Sequence, residues 1–317
     1  MPETLLDTRT TPTARVQDVV EAVGRIVLGK PTEIRLALAC FLAGGHLLIE
    51  DRPGVGKTTL VRALAKVLGI GFKRIQFTSD LLPADIIGVS IFDRQTQQFR
   101  FHHGPLFSEA LLADELNRAT PKTQSALLEA MAEGKVTVDG ETRKLPPFFF
   151  VAATQNPMDL AGTFPLPDSE LDRFLMRISL GYPSLSAERT MLEGTNPAQR
   201  VDAMNPIADS KTLATWRADA GRISVTSPLL DYVQRLVVGS REHPEIALGL
   251  SPRASMALLD CARAWAYLQA RKHCLPDDVK AVFVPVAGHR LEGHDDNHPG
   301  NTLAQKLLDS IAVERPG

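Results

Sequence analysis

Gly54, Gly56, Lys57 and Thr58 fall within the run "IEDRPGVGKTTLV", Ile49 to Val61. Residues of these types at this spacing suit phosphate. Glycines let backbone N–H groups come close, a lysine adds a point charge, and the next hydroxyl can ligate a divalent cation. The pattern G-x-x-x-x-G-K-[ST] is met with one departure, because Asp51 stands where the first glycine belongs. Pro53, Gly54, Val55, Gly56, Lys57, Thr58 and Thr59 are therefore the expected phosphate loop. A second group is "ALLADE", an apolar run ending in Asp114 and Glu115. Asp114 is expected to hold magnesium together with Thr58, and Glu115 to polarise a water for attack on a terminal phosphate. A third is "AATQN", where Asn156 can hold that water or a phosphate oxygen, with Thr154 and Gln155 beside it. Each of the last two, alone, also reads as a solvated turn or a polar strand end. In this order after a phosphate loop they point to nucleoside triphosphate chemistry.

Such residues need elements that bring them to one edge. "HLLIE" reads as a short buried strand and "KTTLVRALAKVLG" as a helix closed by Gly69, so the loop lies between strand and helix. Further strands are expected at "FKRIQF", "ALLAD", "FFFVAAT" and "LMRISLG". Strands of this kind alternating with helices predict an α/β fold, a parallel sheet covered on both faces. Helices are expected from Arg15, where Val16, Val19, Val20, Val23 and Val27 recur, and from Thr32 to Ala43. "TPKTQSALLEAMAEG" predicts another, with Thr120 as N-cap and Pro121 in its first turn. "DSELDRF" is a short one. Two hairpins are expected, about Ser90 to Phe101 and about Lys135 to Lys144, the latter turning at Asp139-Gly140. After Tyr182-Pro183 only helices are predicted. The expected division is a mobile tail over 1–14, an α/β domain with two hairpin insertions over 15–182, and a helical domain over 183–317.

Composition narrows the classes. Of 317 residues, 44% are hydrophobic and 23% charged, as in ordinary globular proteins. Lys and Arg number 35 against 37 Asp and Glu, a net charge of −2 that lacks the basic excess of a nucleic-acid binder. Cys40, Cys261 and Cys274 are far apart, which suits isolated thiols better than a disulfide frame or a zinc site. No apolar run is long enough for a membrane span, and the start lacks a basic-then-apolar leader, so the cytoplasm is expected. His289, His294, Asp295, Asp296 and His298 crowd one Gly- and Pro-containing stretch that reads as a polar loop rather than a metal site. Trp216 and Trp265 are expected in the core. The absence of an N-K-x-D motif disfavours a GTPase.

"GVGKTTL", "LLADE" and "TQN" resemble, in order, the Walker A, Walker B and sensor 1 motifs of AAA+ ATPases. The longer runs "LLADELNRATPKTQSALLEAMAEGKVTVDG" and "VAATQNPMDLAGTFPLPDSELDRFLMRISLGYP", with "SPRAS", look like the MoxR family within the helix-2-insert group. The likeness extends from about Val27 to Leu291. It implies a P-loop AAA+ core with a five-stranded parallel sheet, followed by a smaller all-α lid. It also implies ATP and magnesium bound between subunits of a ring, expected to be a hexamer. Arg173 in "LDRF" would then be a trans finger, the residue type suited to transition-state charge. From the residues alone, a helix-end salt bridge fits Arg173 better. Arg253 in "SPRAS" would be sensor 2, in the first turn of a helix capped by Ser251 with Pro252 at its start. In such rings the hairpins tend to face the pore or partner, making Arg94, Arg100, His102 and His103 candidate contacts. Gln76 matches a position that restrains the catalytic glutamate.

Asp51 recurs among the proteins the chain resembles. Arg52 is less expected, and Lys30 stands where a glutamine often lies near the adenine. The implied function is chaperone-like remodelling of protein clients, some with von Willebrand A domains. The alternative is a nucleic-acid motor of the helicase kind, against which stand the charge balance and the lack of an added DNA-binding segment.

Overall fold

The computed structural model describes residues 12–157, 162–194, 197–294 and 299–313. The first helix, α1 (Pro12–Gly24), begins inside the expected tail, whose remainder, 1–11, lies outside the described residues. Next come α2 (Pro31–Leu42), β1 (Leu47–Glu50), α3 (Lys57–Leu68) and β2 (Phe72–Gln76). They are followed by α4 (Pro83–Ile87), the hairpin β3 (Gly88–Asp93) and β4 (Gln98–His103), then β5 (Ala110–Asp114) and α5 (Pro121–Glu133). A second hairpin, β6 (Lys135–Val138) and β7 (Glu141–Lys144), precedes β8 (Phe150–Gln155), α6 (Asp168–Leu171) and β9 (Met176–Ile178). Beyond these lie α7 (Leu185–Glu193), α8 (Pro197–Asp202), α9 (Ser210–Gly221), α10 (Ser227–Glu242) and β10 (Ile246–Leu248). The last are α11 (Pro252–Leu268), α12 (Pro276–Ala287), β11 (Glu292–Gly293) and α13 (Gly300–Ser310).

The main sheet has five parallel strands in the order β2-β5-β8-β1-β9. β5 is buried along its whole length and β8 over all but its last residue, because helices cover both faces of the sheet. That burial is why their sequences are continuous apolar runs with no alternation. The register pairs Gln76 with Asp114 and Glu50 with Gln155, so the polar residues ending four strands reach the same carboxyl edge. Open α/β sheets bind ligands at that edge.

Among the described residues, the helical part shares its core with the α/β part. One buried cluster runs from Val16 through α2, α3 and β1 to Trp216, Tyr232, Phe283 and Leu307. α11 packs on α12 and, across the chain, on α2. Trp216 is fully buried and Trp265 packs against the same cluster. Cys40, Cys261 and Cys274 are buried free thiols, and burial raises the pKa of each.

Two expectations need correction. The helical part also holds strands: β10 and β11 pair antiparallel, Ile246 opposite Gly293. Segments this short carry no readable alternation, and their partner is remote in sequence. Thr120 occupies the N-cap of α5, but its hydroxyl meets Thr123 Oγ1 at 3.2 Å instead of capping a backbone N–H. The turn of the second hairpin is as expected, with Asp139 at φ 53° and Gly140 at φ 78°, the two positive values a type I′ turn requires. The two hairpins touch. Ser90 Oγ donates to Asp139 Oδ2 at 2.6 Å, and the Arg143 guanidinium lies 4.2 Å from the Phe101 ring centre.

Candidate active site

Gly54 and Gly56 have φ of 82° and 98°, the left-handed region open to glycine. A Cβ at either would meet nothing within 4 Å, so conformation, not crowding, requires glycine there. Gly56 is the N-cap of α3 and no side chain caps the helix, leaving its first N–H groups turned to the loop. Pro53, Gly54, Gly56, Lys57, Thr58 and Thr59 line a cleft of about 360 Å³, with Asp114, Glu115 and Asn156 on its other wall. These residues fit a triphosphate and its cation: free amides, a lysine, a hydroxyl, two acids and an amide converge. Val55 does not face this cleft. It lines an adjoining pocket of about 160 Å³ with Ile26, Val27, Leu28, Lys30 and Pro183, an apolar setting suited to a base.

Thr154 organises the two acids. It is fully buried, donates to Asp114 Oδ1 at 2.5 Å, and accepts from the Glu115 backbone N–H at 2.9 Å. Glu115 sits at φ 56° and ψ 49°, a left-handed conformation that costs a non-glycine residue of order 1 kcal/mol. That turn carries its carboxylate off the strand direction and into the cleft. Each acid carries a cation: Arg118 Nε lies 2.8 Å from Glu115, and Arg74 Nη2 lies 2.6 Å from Asp114. Lys57 Nζ donates to the carbonyl oxygens of Asp51 and Gln155. Burial lowers the Lys57 pKa, opposed by the nearby charges of Asp51, Asp114 and Glu115. Gln155 Nε2 is buried without a hydrogen-bond partner beside this arrangement. Arg74, Arg118 and the bridging part played by Thr154 were not legible in the sequence. Arg74 lies outside every quoted motif, and Arg118, although within the run that follows Asp114-Glu115, carries no expected role there.

Asp51, the apparent fault in the loop, is a buried clamp. Its Oδ2 accepts from Ser179 Oγ at 2.9 Å, Leu180 N at 2.7 Å and Gly181 N at 2.6 Å, and its Oδ1 from Arg52 N at 2.8 Å. Burial works against its charge, but the donors from Gly181, Ser179, Arg52 and Leu180 outweigh it and hold the carboxyl below its usual pKa. The loop entry is thereby tied to the segment joining β9 to α7. Arg52 lies on that segment too: its Nη1 donates to Tyr182 Oη at 3.1 Å, and its guanidinium sits 5.6 Å from the ring centre. Lys30 Nζ donates to the Tyr182 carbonyl at 2.9 Å. The three residues that depart from the common pattern thus converge on one joint.

Arg173 and Arg253 are not brought to this chain's own cleft. Arg173 is half-buried and its Nη1 donates to the Leu128 carbonyl at 2.8 Å, so its hydrogen bond goes to a backbone carbonyl within α5, not to a carboxylate. Arg253 is exposed in the first turn of α11, where Ser251 accepts from Ala254 N and Pro252 is the first residue, as expected. A larger cavity of about 510 Å³ lies among the later helices, beside Tyr232, Arg235, His273 and Cys274, and includes none of the residues expected to bind nucleotide or metal. In the polar stretch, Asp295, Asp296 and His298 lie outside the described residues. His289 is buried against the Phe174 carbonyl. Among the described residues no helix is long and apolar enough to cross a membrane, and no metal-type cluster occurs.

Fold and cleft together define a P-loop α/β protein of the AAA+ class with a helical lid. The sequence family "ATPase family associated with various cellular activities (AAA)" matches residues 46–176, and the AAA lid domain matches 238–310. The chain is 40% identical over 304 residues to chaperone MoxR1 of Mycobacterium tuberculosis, covering 92% of this chain and 78% of that one. It is 44% identical over 299 residues to YeaC of Bacillus subtilis, covering 94% and 93%. A solved structure from Cytophaga hutchinsonii, provisionally described as an ATPase, superposes with a TM-score of 0.85 at 33% identity, covering 96% of both chains. The chain belongs to the MoxR family of AAA+ ATPases.

Proposed function

We propose that this chain binds ATP with magnesium in the cleft, hydrolyses it, and works as a ring-forming, chaperone-like remodelling factor for protein clients in the cytoplasm. Residues 15–182 form the ATPase domain in this reading and 183–317 the lid. The observation that carries it is the Thr154 bridge, which fixes Asp114 and Glu115 opposite the loop amides. Magnesium, when bound, would be held by Thr58 and Asp114 and would neutralise phosphate charge. Glu115 orients and polarises a water, which first requires its pair with Arg118 to open. Asn156 holds the terminal phosphate, and Lys57 leaves its carbonyl partners for the phosphates. Arg173 serves the neighbouring subunit's site, in keeping with its distance from its own, and Arg253 couples lid to nucleotide.

Clients meet the hairpins. Beside the candidates Arg94, Arg100, His102 and His103, that insert exposes Ile91, Phe92 and Phe99, a surface suited to protein more than to nucleic acid. A hexameric ring and a von Willebrand A domain client complete the reading. Glu115→Gln tests it. Nucleotide affinity should stay within about threefold while phosphate release falls at least about a hundredfold, the weight of general-base catalysis. Turnover within about tenfold of the unaltered chain would refute the assignment. Strong, salt-sensitive stimulation by DNA would replace the remodeller with a motor.

A further inference from the structure

Both oxygens of Asp114 are engaged. Oδ1 takes the Thr154 hydroxyl at 2.5 Å. Oδ2 takes the Arg74 guanidinium, through Nε at 3.0 Å and Nη2 at 2.6 Å. Arg74 and Gln76 alternate onto the same face of β2, and Nη2 also donates to Gln76 Oε1 at 3.0 Å. The cation facing Asp114 is thus not the loop lysine, whose Nζ points to backbone carbonyls. The two ends of the pair differ in exposure: the Arg74 side chain is 49% exposed, that of Asp114 only 12%. The carboxylate is held in place, and the guanidinium has an open route to solvent.

We infer that Arg74 is a displaceable counter-cation for Asp114, a positioning residue that occupies the carboxylate until a divalent cation arrives. The inference rests on the proposed magnesium–nucleotide reading of the cleft. Without metal, Arg74 cancels the charge that would repel incoming phosphates. With metal, the guanidinium swings from Oδ2 and Gln76 retains one of its N–H groups. Nucleotide binding should therefore depend only mildly on magnesium in the unaltered chain and steeply once the arginine charge is gone. A strut merely joining the edge strand β2 to β5 would predict lower stability with no change in metal dependence.

The test measures binding of fluorescent N-methylanthraniloyl-ADP in excess magnesium and in EDTA, so that no turnover intervenes. The ratio of the Kd in EDTA to the Kd in magnesium should rise about tenfold in Arg74→Gln, the effect of one unit charge at roughly 3 Å in a medium close to water. Arg74→Lys, which keeps the charge, should stay within about threefold of the unaltered ratio. Should Arg74→Gln not fold, Arg74→Met preserves the apolar stem and gives the same readout. A ratio unmoved in the neutral variant, or equal shifts in the lysine and neutral variants, would overturn the inference. No binding by the unaltered chain in either condition would instead remove the nucleotide reading on which it rests.

Discussion

Replacing Asp51 by alanine tests the claim that the odd residue of the loop is a clamp. Its carboxylate accepts four hydrogen bonds, three of them on one oxygen, at 2.6, 2.7 and 2.9 Å. A hydrogen bond to a charged group is worth about 1.5–3 kcal/mol net, and bonds converging on one atom do not add. Ser179 is exposed and recovers its bond from water, while the Leu180 amide is buried and would lose its partner. One buried and one half-buried charged bond together suggest about 3–4 kcal/mol. At about 2 °C per kcal/mol for a chain of this size, Tm should fall by roughly 6–8 °C. Thermal melts by circular dichroism read this directly. The folded-state pKa of Asp51 lies below its ordinary 3.8, so its stabilisation is complete above that value and lost as pH falls through the depressed one. The gap between the unaltered chain and Asp51→Ala should therefore close only in strong acid. A Tm within about 2 °C at neutral pH, or a gap that closes at mild acidity, would refute the clamp. Arg52→Ala, which removes only an exposed contact, should change stability by no more than about 0.5 kcal/mol.

Arg173→Ala should be inactive alone yet regain ATPase when mixed with Glu115→Gln, since one composite interface can join both intact residues. Absence of rescue in mixed rings, checked by phosphate release, would count against a finger acting in trans. His46 is buried, with Nδ1 accepting from Val151 N at 3.0 Å and Nε2 facing the Met131 carbonyl at 3.2 Å. Burial lowers its pKa to about 4, against some pull upward from that carbonyl. A lowered histidine pKa means that its stabilisation is full above the unfolded value and lost as pH falls from about 6.5 toward 4. Up to about 3 kcal/mol should disappear over that window in urea melts at stepped pH. His289, whose pKa burial also lowers, acts in the same direction. A His46→Gln variant with an undiminished pH slope would show that the loss arises elsewhere.

Much of the site was legible because its chemistry is local in the chain. Lys57 and Thr58 follow Gly56 directly, and a strand before and a helix after are enough to turn the amides outward. The strands ending in Asp114 and Gln155 were readable as buried runs, since strands covered on both faces need apolar residues throughout. Arg74 was not legible: a charged residue on an edge strand reads as solvated, and nothing local aims it at a carboxylate forty residues later. The pair β10–β11 escaped because five residues in two remote pieces form no pattern. Asp51 could be excused from sequence, since a side chain at that position can point away from phosphate. Its partners at Ser179, Leu180 and Gly181 could not be found.

The sequence by itself determined the class of the fold, the order along the chain of the five strands of the main sheet, and the set of groups meant for phosphate. Periodicity, glycine placement and motif order depend only on neighbours along the chain. The tertiary structure decided how those groups are held: Thr154 under both acids, Arg74 and Arg118 upon them, and Asp51 fastening the loop to the Tyr182 joint. Apart from the Arg118–Glu115 pair, which is only three residues apart, these contacts join strands or loops that meet only when the sheet is assembled. Their geometry follows from strand register, which neighbouring residues do not encode.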